Sequence, residues 1–445
     1  MAIFENSALN PGVARREVFG WAMYDFANSG YTTVVLTAVF NVYFIGVVAQ
    51  GAGWGTLAWT LALSASNLLV LLLMPAIGAW ADAHAAKLRL LIVSTVACVA
   101  TTALLALAGR GDLWLAVAAI VLSNFFYAVG ESITAAFLPE LARHEAMGKV
   151  SGWGWSFGYF GGMLSLGLCL GYVLQAQKDG QTATDFVPVT MLITAVIYGV
   201  AACITFLLLK ERAQPQDAVK AAQKSAFAAL LDSWQQARPY TDFKRLLLCA
   251  VFYQAGIAVV IALAAVYADQ VMTFSQGETM ALVFIVNIAA AVGAFAFGYW
   301  QDRLGHKRAL AVTLLVWIAM VLIAAFTESR GMFWLAAALA GLAMGSSQSC
   351  GRAMAGMLIP KARLAEFFGL WTFAVRLAAI IGPITYGLVT WLTDNNHRLA
   401  ILATGSFFVI GLALLRRIDM RRGSAFGLQA AEADHANEIS RAPRG

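Results

Sequence analysis

Four charged side chains lie within stretches of sequence that are otherwise apolar. They are Asp25 and Glu131 in the first half of the chain and Arg352 and Arg376 in the second. A charge at the centre of a bilayer costs about 3 kcal/mol on insertion scales, so each one requires a functional or structural reason. We expect these residues to line a central cavity, with the carboxylates on the wall from the first half and the guanidinium groups on the wall from the second. Such a cavity suits a zwitterion, because the carboxylates pair with its ammonium group and the guanidinium groups with its carboxylate.

The same charges permit two other interpretations. A carboxylate that pairs with an arginine and is then released can take up a proton, so Asp25 and Glu131 are also candidates for proton coupling. The four charges sum to zero, and they are also compatible with static or gating salt bridges that never touch a substrate. The sequence leaves these alternatives open.

Helical spacing places polar or aromatic companions near these charges. For the aromatic pair Trp155 and Tyr159, one turn apart, ordinary packing is an equal alternative. At helical rise, Asp25 and Glu131 lie about 13 and 18 Å from the basic residues that flank their stretches, which puts both acids on the inner side of the midplane. Charges and companions together form the predicted substrate-binding set, which is Asp25, Asn28, Tyr127, Glu131, Trp155, Gln348, Arg352 and Arg376.

The elements that position these residues are long and apolar. Hydrophobic residues make up 60% of the chain and charged residues 12%, where soluble domains carry about 25% charged residues. A helix needs roughly 20 apolar residues to cross a bilayer. We therefore predict an all-α integral membrane protein with twelve transmembrane helices, near 18–48, 54–81, 88–109, 113–138, 150–175, 188–210, 243–271, 278–301, 308–327, 331–357, 366–392 and 397–418.

The basic residues are distributed asymmetrically along this pattern. With the N-terminus inside, 24 of the 30 Lys and Arg fall in cytoplasmic segments, four in outer loops and two within spans. The asymmetry places both termini in the cytoplasm. We expect a multi-pass protein of the plasma (inner) membrane. It also accounts for the net charge of +6 without a nucleic-acid partner. The first span lacks a cleavage site, so we expect no removable signal peptide.

The chain divides into two pseudo-symmetric six-helix bundles. The predicted bundles cover 1–210 and 243–420, with a polar cytoplasmic linker at 211–242 and a disordered cytoplasmic tail at 421–445. A shift of 221 residues superimposes Gly130, Pro139, Gly148 and Gly161 on Gly351, Pro360, Gly369 and Gly382. The same shift aligns Glu131 with Arg352. Duplicated units of this kind are typical of secondary transporters, whose substrates bind between the repeats.

A second repeated feature follows spans 2 and 8. Residues 298–308 read Gly-Tyr-Trp-Gln-Asp-Arg-Leu-Gly-His-Lys-Arg, while the earlier copy has Ala83 and Ala85 in place of the first basic residue and the second glycine. The later copy fits the loop motif of the major facilitator superfamily, which implies a gating role. The predicted gating residues are Gly78, Asp82, Gly298, Asp302, Arg303, Gly305 and Arg308.

Three further segments sharpen the resemblance. The first span opens Gly-Trp-Ala-Met-Tyr-Asp-Phe-Ala-Asn-Ser at 20–29, residues 136–141 read Ala-Phe-Leu-Pro-Glu-Leu, and Gly382-Pro383 lies in span 11. Together they resemble the vacuole effluxer family of the major facilitator superfamily. The resemblance implies the major facilitator fold, alternating access, a monomer and export of amino acids. One departure is Tyr253-Gln254-Ala255-Gly256, where many relatives carry an acidic or amide pair.

Other classes of function lack their motifs. The chain has no H-E-x-x-H, G-x-S-x-G or Walker sequence, and its five cysteines and five histidines follow no metal pattern, so we expect no enzyme, cofactor or metal site. The sequence thus predicts a secondary active transporter for a small zwitterion such as an amino acid, in a lipid bilayer, with protons as the candidate coupling ion. The alternatives are another small solute (a sugar, peptide, amine or drug) or a non-transporting receptor or scaffold.

Overall fold

The computed structural model describes residues 5–143, 147–212, 234–235, 237–358, 364–423 and 425. Within these residues the chain forms twelve long helices, as the sequence predicts, with ends that shift by a few residues. We number them α1 to α12, with the bounds Arg15–Val48, Gly55–Ala83, Lys87–Leu104, Leu113–Leu141, Met147–Lys178, Ala183–Leu208, Thr241–Met272, Gln276–Leu304, His306–Phe326, Arg330–Leu358, Leu364–Leu392 and His397–Arg416.

The described helices have the length and surface of membrane spans. Eleven of them are long and apolar enough to cross a bilayer, and the twelfth, α10, is 29 residues long with polar residues in its second half. Large apolar side chains that are 66% to 83% exposed include Leu72, Trp114, Leu207, Phe326 and Leu392. Apolar exposure on this scale is unfavourable in water and favourable in hydrocarbon. The chain is therefore a multi-pass membrane protein.

Helix α1 is irregular in its second half. Residues Arg15–Tyr31 are α-helical, whereas Thr32–Ala38 and Phe44–Val48 are π-helical and flank one α-helical turn at Phe40–Tyr43. The break lies at Val39, whose φ of −124° and ψ of −62° depart from helical values. Because π-helical stretches shift the i→i−4 ladder, they free backbone carbonyl groups for other donors.

The chain forms two compact units. Unit 1 comprises Met1–Gln223, Val260–Ile288 and Pro383–Ala400, and unit 2 comprises Lys224–Val259, Ala289–Gly382 and Ile401–Gly445. We call the helix ends at which α1 finishes and α2 begins distal, and the opposite ends proximal. Unit 1 thus contains α1 to α6 together with the distal segments of α7, α8 and α11 and the first four residues of α12. The sequence-based division instead places the boundary at the linker.

Each unit contains the same pair of close helix contacts, each made by a glycine. In unit 1 a Cβ added at Gly130 of α4 would meet the Tyr24 hydroxyl of α1, and one at Gly161 of α5 would meet the Phe26 carbonyl. In unit 2 the corresponding partners are Gly351 with Tyr253 and Gly382 with the Ala255 carbonyl. Small residues allow helix backbones to approach this closely in a membrane. The glycines that reveal the repeat in the sequence therefore mark equivalent helix contacts within each unit.

Candidate functional site

The crossing of α1 and α4 fixes the level of two acidic residues in unit 1. Gly130 packs on the Tyr24 hydroxyl, and Glu131 and Asp25 directly follow these two residues in the chain. Both side chains are only partly buried, although their neighbours Tyr24 and Gly130 are buried. The structure thus brings the two predicted acids to one level of the N-terminal bundle.

Asp25 lies against a small residue of α5. A Cβ at Gly154 would meet the Asp25 carboxylate and would lie 2.8 Å from the Trp21 ring, so only glycine leaves room for both side chains. Trp21 is itself fixed, because its indole N–H donates to the Thr134 carbonyl at 2.8 Å. The Asp25 carboxylate is therefore positioned by α5, and Gly154 is a part of its site that helical spacing within α1 does not indicate.

Asn28, three residues further along α1, has a fixed amide orientation. The Tyr198 hydroxyl donates to Asn28 Oδ1 at 2.7 Å, and its distance to the Tyr24 hydroxyl is longer, at 3.3 Å. Thr95 donates its own proton to the Leu91 carbonyl at 2.7 Å, so Tyr24 donates to Thr95 at 2.9 Å and is not the donor to Tyr198.

This order of donors has a consequence for Asn28. Its Oδ1 is occupied by Tyr198, while its buried Nδ2 group finds no acceptor among the described residues. A buried N–H without an acceptor costs roughly 1–3 kcal/mol. Asn28 is 5% exposed and thus belongs to the interior of unit 1, where it presents a donor.

Tyr127 lies on α4 one turn before Glu131. Its ring stacks on that of Tyr31, with centroids 5.1 Å apart and planes 25° apart, and the Tyr31 hydroxyl pairs with Ser123 Oγ at 2.8 Å. Asn124, on the same helix, donates to Ser66 of α2 at 3.0 Å. The predicted residues of α1 and α4 therefore lie within one polar and aromatic layer that sequence spacing only partly indicated.

Unit 2 places an amide pair at the equivalent level. Gln254 follows Tyr253 as Asp25 follows Tyr24, and its Nε2 donates to Gln348 Oε1 of α10 at 3.3 Å. Gln254 is 4% exposed, whereas Gln348 is exposed. Gln254 was missed as a site residue because α1 and α7 are related by 229 residues, while α4 and α10 are related by 221.

The remaining predicted binding residues have separate surroundings. Arg376 of α11 is partly buried, and the side chain of Arg352 lies outside the described part of the structure. Trp155 of α5 is 47% exposed, and its ring centroid lies 6.5 Å from that of Tyr159. Whether these side chains bind a substrate stays a prediction.

The predicted gating residues are described only in part. The side chains at Gly78, Asp82, Gly298, Asp302 and Arg303 lie outside the described part, and Arg308 is exposed. Gly305 makes the turn between α8 and α9 with a φ of +84°, which favours glycine. Ala85, 220 residues earlier, makes the matching turn with a φ of +47°. The turn survives in both copies, although the earlier one has lost its glycine.

Buried ion pairs fasten the proximal end of unit 1. Lys87 at the start of α3 pairs with Glu140 at the end of α4, and its Nζ lies 5.2 Å from the centre of the Phe137 ring. Glu17 of α1 pairs with Arg212 at 2.6 Å and accepts the Ala14 N–H at 3.1 Å. In the degenerate copy of the loop, Lys87 thus ties two helices of the same bundle together.

The proximal end of unit 2 has an ion pair of its own. Arg422 donates to the Asp242 carboxylate through Nε at 2.8 Å and Nη2 at 2.7 Å. The backbone N–H groups of Arg422 and Arg421 lower the pKa of Asp419. Residues 421–423, which the sequence analysis assigned to the tail, are therefore helical and fastened to the start of α7.

The hydroxyl groups that orient Asn28 could not be recognised from the sequence. Tyr198 lies in α6, whose one charged residue, Asp185, accepts a hydrogen bond at the start of the helix, far along the chain from Tyr198. A tyrosine in the middle of an otherwise apolar span is the one signal that pointed to it. No group of three or more His, Cys, Asp or Glu side chains capable of holding a metal occurs in the part of the chain that the structure describes.

The family model described as "Vacuole effluxer Atg22 like" matches residues 56–426. The uncharacterized MFS-type transporter YxiO of Bacillus subtilis is 25% identical over 89% of this chain and 93% of its own length. Autophagy-related protein 22 of Cryptococcus neoformans is 29% identical over 42% of this chain and 37% of its own length.

Two solved structures show the same fold at low sequence identity. A D-xylose-proton symporter has a TM-score of 0.70 and 14% identity, covering 91% of this chain and 99% of the symporter. The nucleoside transporter NupG has a TM-score of 0.65 and 13% identity, covering 91% and 99%. The predicted major facilitator fold is therefore confirmed.

Proposed function

This chain belongs to the vacuole effluxer Atg22-like family of MFS-type transporters, and from that membership we propose that it exports a small zwitterionic solute, such as an amino acid, by alternating access. The observation that carries the proposal is the acidic pair on α1 and α4. Asp25 and Glu131 follow the contact residues Tyr24 and Gly130 and lie at one level of unit 1. Carboxylates so placed can bind an ammonium group through charge-assisted hydrogen bonds.

The opposite charge of the solute would be held by residues of the second half. Arg376 and Arg352 are the proposed partners of a carboxylate, because a guanidinium group binds it through two parallel hydrogen bonds. Gln254 and Gln348 supply amide groups at the level that matches Asp25. In this proposal Asn28 donates its free N–H to an acceptor, and it does not bind the ammonium.

Proton coupling is proposed for the same carboxylates. A carboxylate that loses a cationic partner while remaining shielded from water gains a higher pKa and binds a proton more readily. Release of the ammonium group from Asp25 or Glu131 provides that change. For an exporter that exchanges solute for protons, an acidic receiving compartment drives the solute into it. The proposed location is the plasma membrane with both termini in the cytoplasm, and a monomer is the proposed working unit.

Ligand-dependent stabilisation of the purified full chain tests the substrate class. Amino acids, peptides, sugars and amines are added at saturating concentration, and the midpoint of thermal unfolding is recorded. A ligand at 100 times its Kd stabilises the native state by about 2.7 kcal/mol. We expect zwitterions to raise the midpoint and amines or sugars to leave it unchanged. Stabilisation by a sugar or an amine alone would overturn the zwitterion proposal. The chain would then be interpreted as a transporter of that other solute.

Variants of the acidic pair test the proposed contacts. Asp25→Asn and Glu131→Gln should each remove the stabilisation by zwitterions, because an ammonium group loses an ionised partner. Glu328→Gln is the control, since it makes the same chemical change in an exposed loop between α9 and α10. Full stabilisation of the Asp25 and Glu131 variants would assign both acids to structural salt bridges.

A further inference from the structure

The distal end of α1 contains an amide that is fully buried and fully hydrogen-bonded. Asn41 is 0% exposed, and its Nδ2 donates to the Thr37 carbonyl of its own helix and to the Ala262 carbonyl of α7, both at 3.0 Å. Its Oδ1 accepts the Val42 N–H at 2.9 Å. All three bonds lie within unit 1, and one of them joins α1 to a helix of the second half.

The π-helical geometry of α1 allows a second side chain–backbone hydrogen bond between α1 and a helix of the second half. In a regular α-helix the Val42 N–H would donate to the Ala38 carbonyl, but here it donates to Asn41 Oδ1. The Ala38 carbonyl accepts instead from Gln276 Nε2, at the start of α8, at 3.3 Å. The irregularity of α1 and the attachment of α8 therefore depend on the same asparagine.

Close packing at two glycines adds to this interface. A Cβ at Gly387 of α11 would lie 3.1 Å from Leu57 Cα and 3.2 Å from Thr60 Cβ of α2. At the start of α8 a Cβ at Gly277 would lie 3.0 Å from Leu174 of α5. Glycine at these positions allows the helix backbones to approach closely.

We propose that Asn41 and Gln276 form a distal latch, which holds α7 and α8 on α1 while the distal end is closed and must release before the transporter opens there. The inference rests on the proposed function, because only a carrier that alternates needs this end to open. Two side chain–backbone hydrogen bonds are suited to the task. A net hydrogen bond contributes little enough to be broken and remade repeatedly, whereas a buried ion pair would hold more tightly.

Labelling of a buried cysteine measures release of the latch without any substrate. Thr60 is 0% exposed, so a membrane-impermeant maleimide reaches Thr60→Cys in nanodiscs only when the distal end opens. A Cys203→Ala background removes the one exposed native cysteine. Adding Asn41→Leu should raise the labelling rate about fivefold, the effect of one net hydrogen bond on a two-state equilibrium.

Asn67→Leu is the matched control. Asn67 is a buried asparagine of α2 that donates to the Leu63 carbonyl of its own helix at 3.0 Å. Its loss should leave the labelling rate of Thr60→Cys unchanged. Equal labelling with and without Asn41→Leu would overturn the latch.

A disulfide provides a second test that does not depend on removing the amide. A Cβ added at Gly387 would lie 3.2 Å from Thr60 Cβ, slightly below the 3.5–4.5 Å found across a disulfide. In the double variant Thr60→Cys with Gly387→Cys, the two cysteines should therefore cross-link on oxidation. Proteoliposomes with the cross-linked protein should take up no solute, and reduction of the disulfide should restore uptake. Uptake that continues in the cross-linked protein would show that this end need not open. If the wild type transports nothing but Asn41→Leu still raises labelling, the proposed function fails and the latch remains as a conformational element.

Discussion

Ala85 has a left-handed backbone at the turn where the second half of the chain has Gly305. A left-handed backbone costs a residue with a Cβ about 1–2 kcal/mol, and Gly305 avoids that cost at the matching turn. Ala85→Gly should therefore raise the free energy of unfolding by about 1 kcal/mol, seen as a higher midpoint in thermal unfolding. Ala86→Gly is the control, because its φ of −119° gains nothing from glycine. A lower midpoint for Ala85→Gly than for Ala86→Gly would contradict the account.

Glu17 provides a test of a buried charge. Its side chain is 2% exposed, and Arg212 is its cationic partner. Arg212→Ala should cost about 3 kcal/mol of stability, since it leaves a buried carboxylate unpaired. The double variant Glu17→Gln with Arg212→Ala should recover part of that loss in the same thermal assay. If the double variant is no more stable than Arg212→Ala, the charge of Glu17 is not the cause.

At the level of helices, the contact of α1 with α5 depends on glycines at particular positions. Gly161 faces the Phe26 carbonyl, whereas Gly171 of the same helix has open space around its Cα. Gly161→Ala should lower the unfolding midpoint, because the added methyl meets backbone that cannot rotate away. Gly171→Ala should raise it slightly, since alanine is favoured over glycine inside a helix by about 1 kcal/mol. Equal shifts for the two variants would contradict the assignment of Gly161 to the helix contact.

The helices and their repeat follow from the sequence because their causes are local. A run of about 20 apolar residues is sufficient to specify a membrane helix, and glycines at a constant offset reveal duplicated contacts. The second half of α1 could not be foreseen in this way. Its π-helical stretches flank Asn41, which accepts a hydrogen bond from the Val42 N–H and donates one to the Ala262 carbonyl. Ala262 is distant in the chain, so this contact is not visible in the local sequence.

The candidate site was predictable where a charge lies within an apolar run, or where a polar residue lies about one helical turn from such a charge. Asp25 and Glu131 stand out within apolar runs, and the structure places both at one level of unit 1. Tyr198 and Gln254 are uncharged, and the offset of 229 residues that relates Gln254 to Asp25 differs from the 221 of the other helices. Their contribution depends on which helices touch, which spacing within one helix does not reveal.

At the scale of the whole molecule, the chain is a member of a transporter family and forms two compact units. Unit 1 contains the distal segments of α7, α8 and α11, and these segments contact α1, α2 and α5 through Asn41, Gln276 and the glycines at 277 and 387. The proximal ion pairs Lys87–Glu140 and Asp242–Arg422 each join helices of a single unit. Within each unit, these proximal pairs hold neighbouring helices together.

Uptake by proteoliposomes that contain the purified full chain tests the central claim most directly. Labelled zwitterionic amino acids are supplied outside vesicles with an acidic lumen, and accumulation is followed with and without a protonophore. The account predicts accumulation above the external concentration, its loss with the protonophore, and its absence for Asp25→Asn and Glu131→Gln. Uptake that does not depend on the pH gradient would contradict only the proposed proton coupling. Uptake of no zwitterion beyond the level of empty vesicles would contradict the account.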